Sequence, residues 1–170
     1  MWVQTPLEAL SLLKAQHDFA MGDIEKIRVS PFVPFIMGKY SETTCGVLDA
    51  QFNIPYCLTA YLMNPEMGAE WFTEEMRNNE KLIEFTEKIK PFGPTQVPHD
   101  NFEIFKTGSF PEVTLEIHLN DGTVHSKTMR YPKGHPRNNF TMEEQYEHFR
   151  LCTRPYMKKE QIERIIAIVD

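Results

Sequence analysis

A chain of 170 residues, 41% hydrophobic and 25% charged, carries enough apolar side chains for one packed domain, which excludes an intrinsically disordered segment. Its formal net charge of -6 at pH 7 excludes nucleic acid or an anionic membrane surface as the main partner and points to a cytoplasmic protein. The 3 cysteines, Cys45, Cys57 and Cys152, show no CxxC pair and no zinc-finger spacing, so a disulfide framework is not expected and a reducing compartment fits.

No basic region followed by an apolar core opens the chain, so no signal peptide is expected. The first element is a helix. Thr5 is placed to cap it, Pro6 suits the first helical position and Glu8 completes a capping box. Leu7, Ala9, Leu10 and Leu13 then form one apolar face, ending near His17. Residues 23–29 predict a short strand with Ile27 and Val29 on one side. Pro31, Pro34 and Gly38 break the stretch 30–46 into a loop, whose Phe32, Val33, Phe35 and Ile36 should cover a core or meet a partner.

Residues 53–63 are apolar nearly all round, with Asn53 as cap and Pro55 in the first turn. A helix of that kind is buried on every side, and it is too short to span a bilayer. Two helical segments follow at 69–78 and 79–88, the second with Leu82, Ile83, Phe85 and Ile89 at helical spacing. Residues 91–108 predict an irregular connection. Val113, Leu115, Ile117 and Leu119 then alternate with polar residues up to Asp121-Gly122, the signature of a two-residue type I′ hairpin. That turn would pair Leu119 with Val124, His118 with His125 and Glu116 with Lys127. The returning strand is mostly polar and should lie at an edge.

After a loop at 131–139, Thr141-Met142-Glu143-Glu144 is a second capping box, starting a helix through Leu151. A last helix places Ile162, Ile165, Ile166 and Val169 on one stripe. The expected architecture is a single α+β domain over 1–170, a small antiparallel sheet with helices packed on one face.

Between Gly122 and Met142 lie Lys127, Arg130, Lys133, Arg137, His125 and His135, and no acid. In an acidic chain this stretch is a local positive region that can attract an anion, with Lys133, His135 and Arg137 as the candidate substrate-binding residues. The plainer alternative is a solvated loop, and for Lys127 and Arg130 on the hairpin that alternative is preferred. Gly134 suits a positive φ or a close backbone approach. His99, Asp100, His118 and His125 lack a third ligand at a sensible spacing, so no metal site is expected. No GxSxG and no glycine-rich phosphate loop occurs, which leaves hydrolase and nucleotide-binding functions without residues.

Three stretches carry a family resemblance. Asp49-Ala50-Gln51-Phe52-Asn53-Ile54-Pro55-Tyr56 is similar to an A-Q-F-S-[IL]-P-Y segment. Glu112 through Asp121-Gly122 is similar to a V-x-V-x-L-x-D-G hairpin, and Tyr131-Pro132-Lys133-Gly134-His135-Pro136-Arg137-Asn138 to a P-K-G-x-P-x-N-P loop. A capped helix carrying Phe149 follows the last of these. In this order they resemble the C-terminal lid domain of the MmgE/PrpD family, which contains 2-methylcitrate dehydratase and cis-aconitate decarboxylase. Asn53 replaces the family's serine and keeps a capping side chain, whereas Asn139 replaces a proline and loosens the loop.

The resemblance implies a homodimeric lyase acting on a small di- or tricarboxylate, with no metal and no organic cofactor. It also implies that an all-helical N-terminal domain, supplying most of the catalytic groups, is missing from this chain and acts in cis or in trans. The chain alone would then be inactive. Tyr56 matches a position whose phenol reaches the active site, and His135 matches a histidine of both enzyme branches. By residue type alone, a buried tyrosine whose hydroxyl bonds a backbone carbonyl is the preferred reading of Tyr56, and the resemblance brings the two readings level. The alternative for the whole chain is a non-catalytic carboxylate-binding or subunit-interaction module.

Overall fold

The strongest alternation in the sequence lies at the middle of the sheet. In the computed structural model, which describes residues 2–40, 46–96, 103–104, 106–108 and 110–169, Val113–Leu119 forms β3 with every second side chain buried. Around it, in chain order, run α1 (Gln4–Gln16), β1 (Ile24–Ser30), α2 (Val47–Gln51), α3 (Ile54–Met63), α4 (Glu74–Arg77), α5 (Glu80–Thr86) and β2 (Ile89–Pro91). After β3 come β4 (Val124–Met129), α6 (Met142–Thr153) and α7 (Lys159–Val169). The fold class is α+β, as expected.

The sheet order is β2-β1-β3-β4. β1 and β3 are antiparallel, as are β3 and β4, but β2 runs parallel to β1, with Ile27 opposite Ile89. The sheet is therefore mixed and not purely antiparallel. The reason is the connection: between β1 and β2 the chain crosses over through α2 to α5 and re-enters the sheet in the same direction. Ile89, whose spacing suggested a continuing helix, is instead a strand residue only 4% exposed. The β4 strand is an edge, as its polarity predicted.

The hairpin departs from expectation by one residue. Gly122 has φ +87° and among the described residues only glycines take a positive φ, so Asp121-Gly122 is not a type I′ turn, which needs positive φ at both positions. Gly122 N–H donates to Leu119 O at 3.0 Å and Leu119 N–H to Thr123 O at 2.8 Å, closing a three-residue loop with the glycine in the left-handed region. His118 thus pairs with Val124, Ile117 with His125, Glu116 with Ser126 and Leu115 with Lys127. Because strand side chains alternate, this one-residue slip puts His118 and His125 on opposite faces of the sheet.

One face of the sheet builds the core. Ile24, Ile27, Val29, Leu115 and Ile117 are at most 1% exposed. The helix α1 packs over β3 and β4 on that face, and α3 packs between α1 and α5. The opposite face is polar: Thr114 and Thr128 share a 2.8 Å hydroxyl contact, and Glu116 bonds Arg28 at 3.3 Å and His118 at 3.1 Å.

Two helix starts show what local signals settle. Asn53 Oδ1 accepts the Tyr56 N–H at 2.8 Å, and α3 is buried from Ile54 through Tyr61, as predicted. Thr141 and Glu144 form the expected reciprocal capping box of α6. The start of α1 differs: the helix begins at Gln4 after Val3, which makes no side-chain cap. Thr5 is buried inside the first turn, and Glu8 reaches outward to accept the Lys133 N–H. Of the apolar loop after β1, Val33 and Ile36 join the core, whereas Phe35 stays 62% exposed. The segments at 69–78 and 79–88 shorten to a 3-10 turn, Ala69–Phe72, and the helices α4 and α5.

Candidate functional site

The loop after β4 is tied at both flanks. Lys133 donates its backbone N–H to Glu8 of α1, and its ammonium reaches Glu144 of α6 at 2.9 Å. Lys133 and the Thr141 backbone N–H hold the Glu144 carboxyl below its ordinary range. Within the loop, Gly134 N–H donates to Asn138 O at 3.0 Å and Asn138 N–H to His135 O at 2.7 Å, closing a narrow turn. Gly134 takes φ +85°, and a Cβ there would stand 2.7 Å from Phe140. Both reasons offered for glycine therefore hold at this one position.

Inside that turn three side chains meet. The Tyr131 ring stacks on His135 at 4.5 Å between centroids, and the Arg137 guanidinium lies 5.2 Å from the Tyr131 centroid. Arg137 Nη1 also donates to the Tyr131 hydroxyl at 2.6 Å. The Arg137 backbone N–H donates to His135 Nδ1 at 3.0 Å. An accepting Nδ1 carries no proton, so in neutral His135 the proton sits on Nε2 and that edge is a donor. Phe110 meets the imidazole edge-on at 6.2 Å, and Trp2 meets Phe110 at 6.4 Å.

The electrostatics of the basic stretch are uneven. Arg130 pairs with Glu112 at 3.6 Å and Lys133 with Glu144, so much of the positive charge is neutralised locally. Among the described residues Arg137 has no carboxylate partner; its hydrogen-bond acceptor is a neutral phenol. Arg137 is exposed and His135 half-buried. The loop therefore carries two kinds of donor, the remaining N–H groups of a charged guanidinium and the Nε2–H of a neutral imidazole.

Tyr56 belongs to another neighbourhood. It is fully buried at 0% exposure, its hydroxyl donates to the Trp71 carbonyl, and its ring lies 4.6 Å from Tyr40 and 6.2 Å from Phe72. The structure brings Lys133, His135 and Arg137 into one loop and seats Tyr56 in the core between α3 and the 69–72 turn. Tyr131, which heads the loop and joins His135 to Arg137, was not singled out in the sequence. The available signal was an aromatic beside an arginine and a histidine in an acid-free stretch.

Over residues 1–170 the sequence matches the MmgE/PrpD C-terminal domain. The chain belongs to this family. No curated protein matches it.

The rest of this MmgE/PrpD domain offers less. An open cleft of about 830 Å³ lies between α6, α7 and Glu66. Its lining has five acids (Glu66, Glu143, Glu144, Glu147, Glu163) against Arg150, Arg154 and Lys159, which disfavours an anionic ligand. Arg150 alone bonds Glu143, Glu147 and Glu163. His125 stacks on His17 at 3.8 Å on one face of the sheet while His118 bonds its strand neighbour Glu116 on the other, so the two cannot share a metal. His99 and Asp100 lie outside the described residues, as does Cys45. Among the described residues no three His, Cys, Asp or Glu side chains form a metal-holding group, and no helix is long and apolar enough to cross a membrane. Burial pushes the Cys57 thiol up to about 12.

Proposed function

We propose that this domain is the C-terminal part of an MmgE/PrpD-type lyase, resembling 2-methylcitrate dehydratase, whose substrate is a small di- or tricarboxylate. One observation carries the reading: among the described residues Arg137 keeps a charge that no carboxylate meets, in a loop that is closed by its own hydrogen bonds and also holds His135 with Nε2–H as its donor. Lyases of this kind pass through a state with negative charge next to a carboxylate, and fixed cationic donors lower its energy because they are oriented before the charge develops. In this reading His135 and Arg137 bind a substrate carboxylate. Lys133, whose charge Glu144 meets, serves the site by fixing the loop on α1 and α6.

The proton-transfer groups belong, on this proposal, to a helical domain supplied in cis or in trans, with a homodimer in the cytoplasm as the working form and no cofactor. Tyr56 can act on substrate only if the 69–72 turn releases its hydroxyl; in the position observed it serves the core. The test is to combine the chain with its helical half and follow dehydration or decarboxylation of citrate-like acids. Arg137→Gln should lower kcat/KM by about 100-fold, the worth of a charge-assisted bond to carboxylate. Full activity in that variant, or no activity from the combined halves on any such acid, removes the reading. The rival, a non-catalytic carboxylate-binding module, predicts binding without turnover in the same assay.

A further inference from the structure

The geometry of the loop assigns a task to a residue so far without one. Tyr131 touches both donor-bearing residues, His135 and Arg137, at once. Its ring face supports His135 at 4.5 Å with only 24° between planes, and its hydroxyl oxygen accepts from Arg137 Nη1 at 2.6 Å. The backbone repeats the attachment, since Tyr131 O accepts from Asn138 Nδ2 at 2.9 Å. An exposed arginine ordinarily samples many rotamers, and ordering it on binding weakens the complex. An arginine already held over a ring and bonded to its hydroxyl has lost that freedom beforehand.

The phenol also has a proton of its own. Accepting from Arg137 uses an oxygen lone pair, and among the described residues nothing accepts from the Tyr131 O–H. The hydroxyl, the His135 Nε2–H and the guanidinium therefore make three donors from residues 131, 135 and 137, joined by direct contacts. Charge on Arg137 polarises the phenol it bonds, which strengthens the O–H as a donor.

We infer that Tyr131 is the positioning residue of the carboxylate-binding loop, setting His135 and Arg137 in place and adding a hydroxyl donor of its own to the substrate carboxylate. This rests on the reading of the loop as a carboxylate site.

The test is an NMR titration of the full 170-residue chain with tricarballylate, following the Arg137 side-chain N–H, the His135 ring nitrogens and the 133–138 amides. Tyr131→Phe keeps the stack and removes the hydroxyl, so Kd should rise about tenfold while His135 stays in the Nε2–H tautomer. Tyr131→Leu removes both, so Kd should rise on the order of 100-fold and the His135 tautomer should become mixed. A thermal melt of each variant shows whether the fold is retained; a merely structural role would lower Tm without changing the tautomer. If the wild-type chain binds no more tightly than Arg137→Gln, the carboxylate site itself is refuted and Tyr131 has nothing to position. If Arg137→Gln abolishes binding but Tyr131→Phe and Tyr131→Leu both bind as wild type, the assignment of Tyr131 alone is overturned.

Discussion

Replacing Tyr56 by phenylalanine separates a chemical role from a structural one. The substitution keeps the ring contacts to Tyr40 at 4.6 Å and Phe72 at 6.2 Å and deletes only the hydroxyl that donates to the Trp71 carbonyl. Trp71 is 3% exposed, so water cannot readily replace the lost donor. An unsatisfied buried carbonyl costs about 1–3 kcal/mol. With a urea m-value of about 2 kcal/mol/M, the unfolding midpoint should fall by roughly 0.5–1.5 M at unchanged m. Tyr56→Ala, which also empties the ring site, should cost about 3–5 kcal/mol. In the enzyme completed by its helical half, Tyr56→Phe should leave kcat within a few-fold of wild type wherever the protein is folded. A proton-transferring phenol would behave oppositely, losing about 100- to 10,000-fold in kcat. A midpoint within about 0.2 M of wild type, together with such a loss in kcat, would refute the core role.

Three further outcomes follow from the same contacts. Asn53 caps α3 through Tyr56 N–H and donates from Nδ2 to Gly38 O at 3.0 Å, so Asn53→Ala should cost about 2 kcal/mol and Asn53→Ser, which keeps the cap, about half of that. Equal Tm values for the two variants in calorimetry would show that the cap contributes nothing. Cys57 is buried with its thiol pushed up to about 12, while Cys152 is exposed, so iodoacetamide at about pH 8 should label Cys152 and spare Cys57 until the chain is unfolded. Peptide mapping by mass spectrometry reads this directly, and rapid native labelling of Cys57 would contradict its placement. Glu144 titrates below its ordinary 4.5, first through Lys133 and then through the Thr141 N–H, so its stabilisation is complete above that value. It is lost as pH falls through the depressed folded value, and the Gly134 amide should lose protection, relative to its intrinsic exchange rate, under acid conditions in wild type but not in Glu144→Gln. Identical exchange in both proteins across that range would remove Glu144 as the loop's tie.

Much of the local structure was legible because it rests on neighbours in sequence. Asn53 and Thr141 bond amides three residues onward, and those bonds depend on nothing distant. The all-round apolarity of α3 and the alternation of β3 likewise reported burial correctly, since both express one side-chain period against one core. The failures came where two segments had to agree. The hairpin slipped by one residue because Asp-Gly is compatible with two loop lengths, and the choice belongs to the pairing of β3 with its neighbours.

The candidate site divides along the same line. The sequence by itself determined the family, the acid-free stretch around Lys133, His135 and Arg137, and the need for glycine at 134. Only the tertiary structure decided which charges stay uncompensated. Glu144 and Glu112 neutralise Lys133 and Arg130, and a phenol six residues away, with no charge to offer, receives Arg137. Likewise, a tyrosine three residues into a capped helix favours a core by residue type, and the family resemblance sets an active site level with it. The carbonyl of Trp71, brought within reach by the 69–72 turn, is what seats it in the core. Electrostatic and hydrogen-bond partners act through space over a few ångströms, and a linear pattern records spacing along the chain and not those distances.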